Sequence, residues 1–293
     1  MQIDLGSFIE KATPLRVLSV MVSQDGEVIA EHNWDEKCRR NIYSATKSFT
    51  SAAVGIAQKE GLLSIDEKLT DAFRDDLPEQ VSENLSKATV RDLLTMCLGQ
   101  KEAALMGGVR PYYKEKDWVK LSLSLPFEYE PGTTFLYNNA GPYLAGILVQ
   151  RRAGCDLAAY LTPRLFAPLG ILGTMWERDP MGNHFGAGGL CLCIEELHRF
   201  GLLYLQDGNW NGKQLIPKDW VRESTRKQVD NGTPYGYGYL FWGDQHGVFR
   251  ADGKYSQLSM IMREKNAVVS MMAECREGDV LREAVFTEIY PQL

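Results

Sequence analysis

The strongest constraint on the fold is that β-like segments occupy both ends of the chain while its middle is helical. Residues 15–22 and 27–31 are rich in β-formers and are separated by Gln24-Asp25-Gly26. Asp-Gly between two such runs predicts a β-hairpin. Four further β-like segments come late in the chain, at residues 235–242, 247–251, 256–263 and 267–273. We therefore expect one sheet built from both ends of the chain, with the helical middle inserted into it.

The middle of the chain carries helical periodicity and helix-end signals. Residues 44–60 have apolar side chains at helical spacing and stop at Gly61, a residue type that favours a helix end. Thr89 followed by Asp92 resembles a capping box. Further helices are predicted at residues 140–153, 156–166, 194–206, 217–226 and 278–289.

The length of 293 residues fits a single unit better than two independent domains. We expect one domain over residues 1–293, with an α/β lobe formed by residues 1–65 and 212–293 and a helical lobe at residues 66–211. A cleft between two lobes is a common place for a functional site.

Charge and hydropathy disfavour several classes of partner. The net charge is −6 and no long Lys/Arg run occurs, so no nucleic-acid binding is expected. No apolar run approaches the ~20 residues of a membrane span, so no membrane partner is expected. The first residues do not resemble a secretory signal, which predicts a cytoplasmic protein. The sequence carries no signal for oligomeric state.

The six cysteines are scattered through the chain, which favours free thiols in a reducing compartment. Cys191 and Cys193 form the one close pair. A structural zinc site needs four ligands, and the nearest histidine, His198, stands alone. Core packing is therefore the favoured interpretation of this pair, and no metal site is predicted.

Ser44-Ala45-Thr46-Lys47 has the pattern S-x-x-K, which carries nucleophilic chemistry when it lies on a helix. Residues three apart share a helix face, so the Ser44 hydroxyl and the Lys47 amine are neighbours. A lysine whose pKa is lowered by burial or nearby positive charge can take the serine proton. The alternative is a helix-capping Ser44 followed by a surface lysine.

The sequence lacks the motifs of the other common serine hydrolases. No serine has glycine at both −2 and +2, so the G-x-S-x-G elbow is absent. The four histidines lie outside any recognisable triad segment. Tyr137-Asn138-Asn139 supplies a second candidate motif, Y-x-N, in which Tyr137 shares proton transfer and Asn139 holds the lysine amine or a substrate carbonyl. The alternative is a buried tyrosine with a turn asparagine.

The stretch NIYSATKSFTSAAVGIAQKEGLLSIDEKL resembles the active-site helix of the serine β-lactamase and penicillin-binding protein superfamily. It is most similar to the class C-like branch, which includes esterases, D-amino-acid peptidases and 6-aminohexanoate-dimer hydrolases. The segments TVRDLLTMCLG, FEYEPGTTFLYNNAGPYLAGILV, GAGGLCLCIEELHRFGLLYLQDGNWNGKQLIPKDWV and YGYGYLFW agree in order, so the resemblance runs from about residue 15 to 275. It implies an α/β (α+β) class, β-lactamase/transpeptidase-like fold: an antiparallel sheet flanked by terminal helices, with an inserted helical lobe.

The resemblance also implies residue roles and no cofactor. Ser44 is the expected nucleophile that forms an acyl-enzyme, Lys47 its base or electrostatic partner, and Tyr137 a participant in proton transfer. Asn139 is expected to line the cleft. The oxyanion hole is expected to use the backbone N–H of Ser44 and one from the edge strand near residue 254.

The third motif of the superfamily, K-T-G or H-x-G, is where this sequence departs. Its candidate is Ala251-Asp252-Gly253, in which Gly253 matches but Ala251 lacks the charge. Lys254 is a possible substitute, and both Gly253 and Lys254 are predicted to contact substrate. The missing cation disfavours β-lactamase and transpeptidase activity.

The loop at residues 101–125 carries Tyr112, Tyr113 and Trp118, which either anchor the loop or flank the substrate. Tyr113 is predicted to bind substrate.

The sequence as a whole predicts a serine hydrolase of an ester or amide in a small or peptide-like substrate. The alternatives are β-lactamase or D-Ala-D-Ala carboxypeptidase activity, acyl transfer to an acceptor other than water, and a binding protein that has lost turnover.

Overall fold

A computed structural model of the protein describes residues 2–293 and is built on a six-stranded antiparallel sheet in the order β2-β1-β10-β9-β8-β7. Two short ribbons, β3-β4 and β5-β6, accompany it. The strands are β1 Val17–Gln24, β2 Glu27–Asn33, β3 Arg40–Asn41, β4 Cys191–Leu192, β5 Asn209–Trp210, β6 Lys213–Gln214, β7 Trp242–Gly243, β8 Phe249–Gly253, β9 Gln257–Met262 and β10 Ala267–Ala273. First and last strands pair directly, so the expected sheet from both ends of the chain is confirmed.

The helices fill the middle of the chain and also cap both its ends. They are α1 Gly6–Ala12, α2 Thr46–Lys59, α3 Leu69–Ala72, α4 Glu83–Lys87, α5 Val90–Leu94, α6 Trp118–Ser124, α7 Ala140–Ala153, α8 Leu157–Leu161, α9 Ile194–Leu205, α10 Lys218–Thr225 and α11 Gly278–Ala284. Wider π turns continue α8 over Thr162–Phe166 and α11 over Val285–Ile289. No helix within residues 2–293 has the length and apolar character needed to cross a bilayer.

The predicted hairpin forms at Asp25-Gly26. Both residues have positive φ, 54° and 86°, as a type I′ turn requires. Gln24 and Glu27 face each other across the turn. The capping box of α5 is also present, because Thr89 and Asp92 hydrogen-bond reciprocally.

Both faces of the sheet are covered, which explains the continuous apolar sequence of its central strands. All seven residues of β10 are buried. Val269 and Met271 pack with α1 and α11, whereas Val268 and Met272 face the main core. This alternation follows from the two-residue repeat of a strand. The terminal helices predicted to flank the sheet are thus confirmed.

The main core runs continuously from the sheet into the helical region, across the predicted lobe boundary. Helix α9 lies within the range 66–211 assigned to the helical lobe, yet it packs directly on the sheet. A Cβ added to Gly201 of α9 would meet Ser259 Oγ of β9 at 2.3 Å. The amphipathic pattern predicts that α9 has a buried face, but it does not identify the surface that covers it.

The strand predicted at residues 235–242 is wrong, since β7 contains only Trp242 and Gly243. The segment before it turns back on itself: Gly238 N–H donates to Phe241 O, and Leu240 N–H donates to Leu94 O of α5. Alternating aromatic residues and glycines imitate a strand pattern, but glycine also permits such turns.

A buried polar cluster joins α9 to the sheet. The two ring nitrogens of His198 lie 2.7 Å from Ser23 Oγ and 3.0 Å from Ser270 Oγ, and Ser270 Oγ donates to Ser259 Oγ at 3.2 Å. A neutral imidazole can donate through one nitrogen and accept through the other. Burial lowers the pKa of His198 to about 4. The folded protein therefore holds this side chain uncharged at neutral pH.

We predict that His198 makes the protein less stable in mild acid. Its pKa is lower in the folded state than in the unfolded chain, so its contribution is present above about pH 6.5 and is lost as the pH falls toward 4. The loss amounts to about 3 kcal/mol of unfolding free energy. Urea unfolding at several pH values should show a weaker pH dependence in His198→Gln than in the wild type; equal dependence would contradict the prediction.

Candidate active site

Ser44 and Lys47 meet at the start of α2. Ser44 lies in a single 3-10 turn, Tyr43–Ala45, that leads into the helix, and Lys47 follows in the first helical turn. Lys47 Nζ lies 3.0 Å from Ser44 Oγ. The lysine side chain is almost completely buried, with a relative exposure of 1%. The alternative of a capping serine with a surface lysine is therefore wrong.

The Lys47 amine has two further partners. Its Nζ lies 2.7 Å from Asn139 Oδ1 and 2.7 Å from the backbone oxygen of Ala187. Burial, reinforced by the positive charge of Arg110, lowers the pKa of Lys47 well below its ordinary value. A neutral amine has two N–H donors and one lone pair. Two carbonyl acceptors and one hydroxyl match that set.

Asn139 stands immediately before α7 and holds two segments together. Its Oδ1 accepts from Lys47, and its Nδ2 donates to Leu105 O at 2.9 Å. Its backbone N–H donates to Ala104 O. The predicted partnership of Asn139 with the lysine amine is therefore present in the geometry, and the asparagine also fixes the loop that crosses the cleft.

Tyr137 lies on the other side of the same amine. Lys47 Nζ is 5.1 Å from the centre of its ring, and the ring packs against Trp242 with a centroid distance of 5.4 Å. Burial raises the pKa of Tyr137, and its interaction with the Ser44 side chain acts in the opposite direction. The phenol is accordingly held in its neutral form beside Ser44.

Two cavities open on Ser44, and they share Ser44, Met106 and Lys254. The larger has a volume of about 560 Å³ and the smaller about 400 Å³. The larger cavity is lined by Tyr137, Thr233, Tyr235, Trp242, Gly243, Asp244, Arg250, Asp252, Asp279 and Arg282 besides the shared residues. The smaller is lined by Asn41, Tyr43, Gly107, Gly108, Arg110, Asn139, Glu177, Phe185, Ala187, Gly188 and Gly189. Ser44 thus lies at the junction of the two cavities.

An ionic network that no sequence motif predicts lies along the third motif. Arg250 contacts Asp244 at 2.6 Å and Asp252 at 2.8 Å, and its side chain is buried. Arg282 of α11 lies 3.6 Å from Asp244. The wall that begins at Ala251 therefore carries paired charges. Lys254, by contrast, is exposed at the junction of the two cavities.

Gly253 allows β8 to approach the turn that contains Ser44. A Cβ at this position would lie 2.1 Å from Ile42 O and 3.2 Å from Ala45 N. Any larger residue would displace one of the two segments. The match of Gly253 to the superfamily motif therefore has a physical reason, namely the contact that brings residue 254 beside Ser44.

Arg110 is a further residue of the site, and no sequence motif predicts it. It belongs to the loop over the smaller cavity, where its guanidinium lies 3.1 Å from Glu177 and 4.3 Å from the ring centre of Phe185. Neither residue belongs to a recognisable motif, and more than sixty positions separate Arg110 from Glu177 in the chain. Only the fold brings them together.

The predicted role of Tyr113 is not matched by its position. Tyr113 lines neither cavity; its hydroxyl accepts a hydrogen bond from Leu105 N–H at 3.3 Å. Tyr112 is largely exposed, and Trp118 is buried against Tyr143 and Phe185. Trp118 therefore anchors the loop, which is one of the two interpretations that the sequence left open.

Residues 2–293 contain no cluster of three or more histidine, cysteine or acidic side chains arranged to hold a metal ion. All six cysteines are free thiols. Cys193 instead begins α9, where its backbone N–H donates to Glu196.

The profile of the Beta-lactamase family matches residues 9–289, nearly the whole chain. The chain belongs to this family. The resemblance stated from the sequence is therefore confirmed, together with its fold class.

Relatives and solved structures agree with this assignment. Monacolin J acid methylbutanoyltransferase of Aspergillus terreus is 31% identical over 156 residues, 47% of this chain and 37% of that protein. The chain therefore matches well under half the length of that relative. A Bacillus anthracis protein provisionally assigned as a 6-aminohexanoate-dimer hydrolase has a TM-score of 0.81 at 18% identity, over 96% of this chain and 80% of the other. A penicillin-binding protein of Bacillus halodurans has a TM-score of 0.76 at 17% identity, over 97% and 99%. At these identities the structures establish the fold.

We predict that Gly253→Ala lowers the unfolding free energy of the protein through a steric clash at the site. Its added methyl group would overlap Ile42 O, and such overpacking costs about 1–3 kcal/mol of unfolding free energy. Gly108→Ala is the matched control, since a Cβ there meets no atom within 4 Å. Chemical denaturation of the two variants checks the prediction, which fails if both are equally stable.

Proposed function

We propose that the protein is a serine hydrolase that cleaves an ester or amide of a small or peptide-like substrate through an acyl-enzyme on Ser44. The observation that carries the proposal is the buried amine of Lys47, placed 3.0 Å from Ser44 Oγ with its two other contacts on carbonyl oxygens. No cofactor is needed for this chemistry.

In the first step Lys47 Nζ takes the proton of Ser44 while Ser44 Oγ attacks the substrate carbonyl carbon. The lone pair of a neutral amine makes this transfer, and burial of Lys47 supplies the neutral amine. The resulting ammonium keeps its hydrogen bonds to Asn139 and Ala187, so the new charge forms with its partners already in place.

Tyr137 acts as the proton donor to the leaving group. Since its pKa is raised by burial, the phenol is a poor candidate for the base and remains protonated. The leaving alkoxide or amide nitrogen takes the phenol proton as the bond to the carbonyl carbon breaks. The phenolate then recovers a proton from the Lys47 ammonium, whose Nζ faces its ring.

The developing oxyanion is received by the backbone N–H groups of Ser44 and Lys254. Gly253 supports this proposal, because it approaches Ile42 and Ala45 on either side of Ser44, and Lys254 directly follows it in the chain. Removing one donor from such a pair typically slows a reaction ~10²–10³-fold.

The paired charges along the third motif favour neutral esters and amides over the carboxylate of a β-lactam or a peptidoglycan stem at that wall. Arg250 is already engaged by two carboxylates, Asp244 and Asp252. A substrate carboxylate would have to compete with them for the same guanidinium.

Acyl transfer is the second candidate, favoured by the similarity to an acyltransferase. After the leaving group departs, its cavity is free for either water or an alcohol acceptor. An alcohol would attack the acyl carbon and give its proton to the neutral amine of Lys47, which returns that proton to Ser44 Oγ as the acyl–Ser44 bond breaks. Chromatographic analysis of products formed with and without added alcohols separates hydrolysis from transfer.

We predict that Ser44 is the residue modified by acylating reagents. Intact-mass spectrometry after incubation with a fluorophosphonate, p-nitrophenyl esters, nitrocefin and a penicillin should show a single adduct or turnover with at least one reagent. Both should disappear in Ser44→Ala.

The matched control is Ser51→Ala, since Ser51 is a second buried serine of α2 whose hydroxyl has no hydrogen-bond partner within residues 2–293. It should react like the wild type. No adduct and no turnover with any reagent would move the non-catalytic binding protein to first place.

We also predict that Arg110 shifts the pH dependence of the reaction. The ratio kcat/KM should rise with pH as Lys47 loses its proton, at a pH well below that of an exposed lysine. Arg110→Gln removes a nearby positive charge, so the pKa of Lys47 should rise and the acidic limb should move to higher pH. Arg110→Lys keeps the charge and should restore the limb; an unmoved limb in Arg110→Gln would argue against Lys47 as the base.

A further inference from the structure

We propose that a separate basic cavity beside the Ser44 cleft binds an anionic group, carboxylate or phosphate, carried by the substrate. This inference rests on the proposed hydrolase function. The cavity has a volume of about 370 Å³, within the ~300–1,000 Å³ typical of small-molecule sites. It is lined by Arg16, Leu18, Arg40, Asn41, Tyr43, Tyr255, Gln257, Ala273, Glu274 and Arg276.

Three guanidinium groups face this cavity in a protein whose net charge is −6. Arg16 is paired with Glu274, and Arg40 contacts Asp35 at 2.6 Å. Arg276 has no ion pair among residues 2–293 and is exposed. Guanidinium groups bind planar and tetrahedral oxyanions through paired N–H donors, so the chemistry of the lining selects carboxylate or phosphate.

The basic cavity adjoins the catalytic cleft. Asn41 and Tyr43 line both it and the smaller cavity at Ser44. Tyr255, which directly follows the cleft residue Lys254, packs edge-on against Tyr43 with a centroid distance of 5.4 Å. The rings of Tyr43 and Tyr255 separate the basic cavity from the smaller cavity at Ser44. A substrate that extends past these rings could have its ester at Ser44 and its anionic group at the arginines.

The backbone around the cavity is strained. Arg16, Tyr43 and Tyr255 have positive φ values of 57°, 47° and 63°, a conformation that costs non-glycine residues about 1 kcal/mol or more. All three line the cavity. Such outliers concentrate at ligand sites, where the surrounding structure holds them in place.

The wall of the cavity also contains an unsatisfied polar atom. Gln257 has a relative exposure of 3%; its amide nitrogen donates to Ala273 O, while its side-chain oxygen has no donor among residues 2–293. A buried acceptor without a partner is costly.

The test combines binding with turnover. Isothermal titration calorimetry of the Ser44→Ala protein with glutarate and with inorganic phosphate measures anion binding without any reaction. Steady-state assays then compare mono-p-nitrophenyl esters of glutaric, adipic and suberic acid with the same esters capped as methyl esters. The variants are Arg276→Glu and Arg16→Glu; Arg74→Glu, an exposed arginine that lines none of these cavities, is the matched control.

We expect at least one anion to bind, and at least one acid ester to have a tenfold or greater advantage in kcat/KM over its methyl ester. Both effects should fall at least tenfold in Arg276→Glu and Arg16→Glu and persist in Arg74→Glu. The proposal is overturned if neither anion binds, if charge reversal leaves binding unchanged, or if binding occurs without any preference for acid esters. If the wild type hydrolyses no ester, the hydrolase proposal fails, and calorimetry still judges the basic cavity. The preferred anion distinguishes carboxylate from phosphate.

Discussion

The site depends on one physical constraint, which is that a lysine amine is buried where its charge cannot be solvated. Lys47 reaches this position because it lies on the inner face of α2, beneath Ser44 and between the segments that carry Asn139 and Ala187. Burial of an ammonium is expensive unless the group loses its proton or gains acceptors. Here the pKa of the amine is lowered by burial and its N–H groups have carbonyl acceptors on Asn139 and Ala187, and both features suit the base proposed for Ser44.

The architecture around this amine explains why the fold needs both ends of the chain. The sheet supplies β8, and the contact of Gly253 with the turn before α2 aligns the strand with Ser44. The helical region supplies the start of α7 and the loop that carries Arg110. Because the main core is continuous across these parts, displacement of any one of them would disturb the amine.

Charged side chains near the cleft differ between the third motif and the basic cavity. At the third motif, arginine and aspartate side chains are paired, so that wall offers no uncompensated cation. Beyond Tyr43 and Tyr255, Arg16 and Arg40 are paired with Glu274 and Asp35, whereas Arg276 has no ion pair among residues 2–293. A family pattern that normally receives an anion at one position is thus altered there, while positive charge gathers at a neighbouring one. An anionic group of the substrate is therefore expected in the basic cavity beyond Tyr43 and Tyr255, and not at the third motif.

Local periodicity and short motifs are enough to predict the sheet, most helices, and Ser44, Lys47, Tyr137, Asn139 and Gly253 as candidate site residues. The strand predicted at residues 235–242 does not form over that range, because glycines among aromatic residues imitate the strand pattern. Long-range packing leaves Tyr113 outside both cavities at Ser44, lays α9 on the sheet, and brings Arg110, Arg250 and Arg276 to cavity walls. Those outcomes depend on contacts between residues far apart in the chain, and no local pattern specifies them.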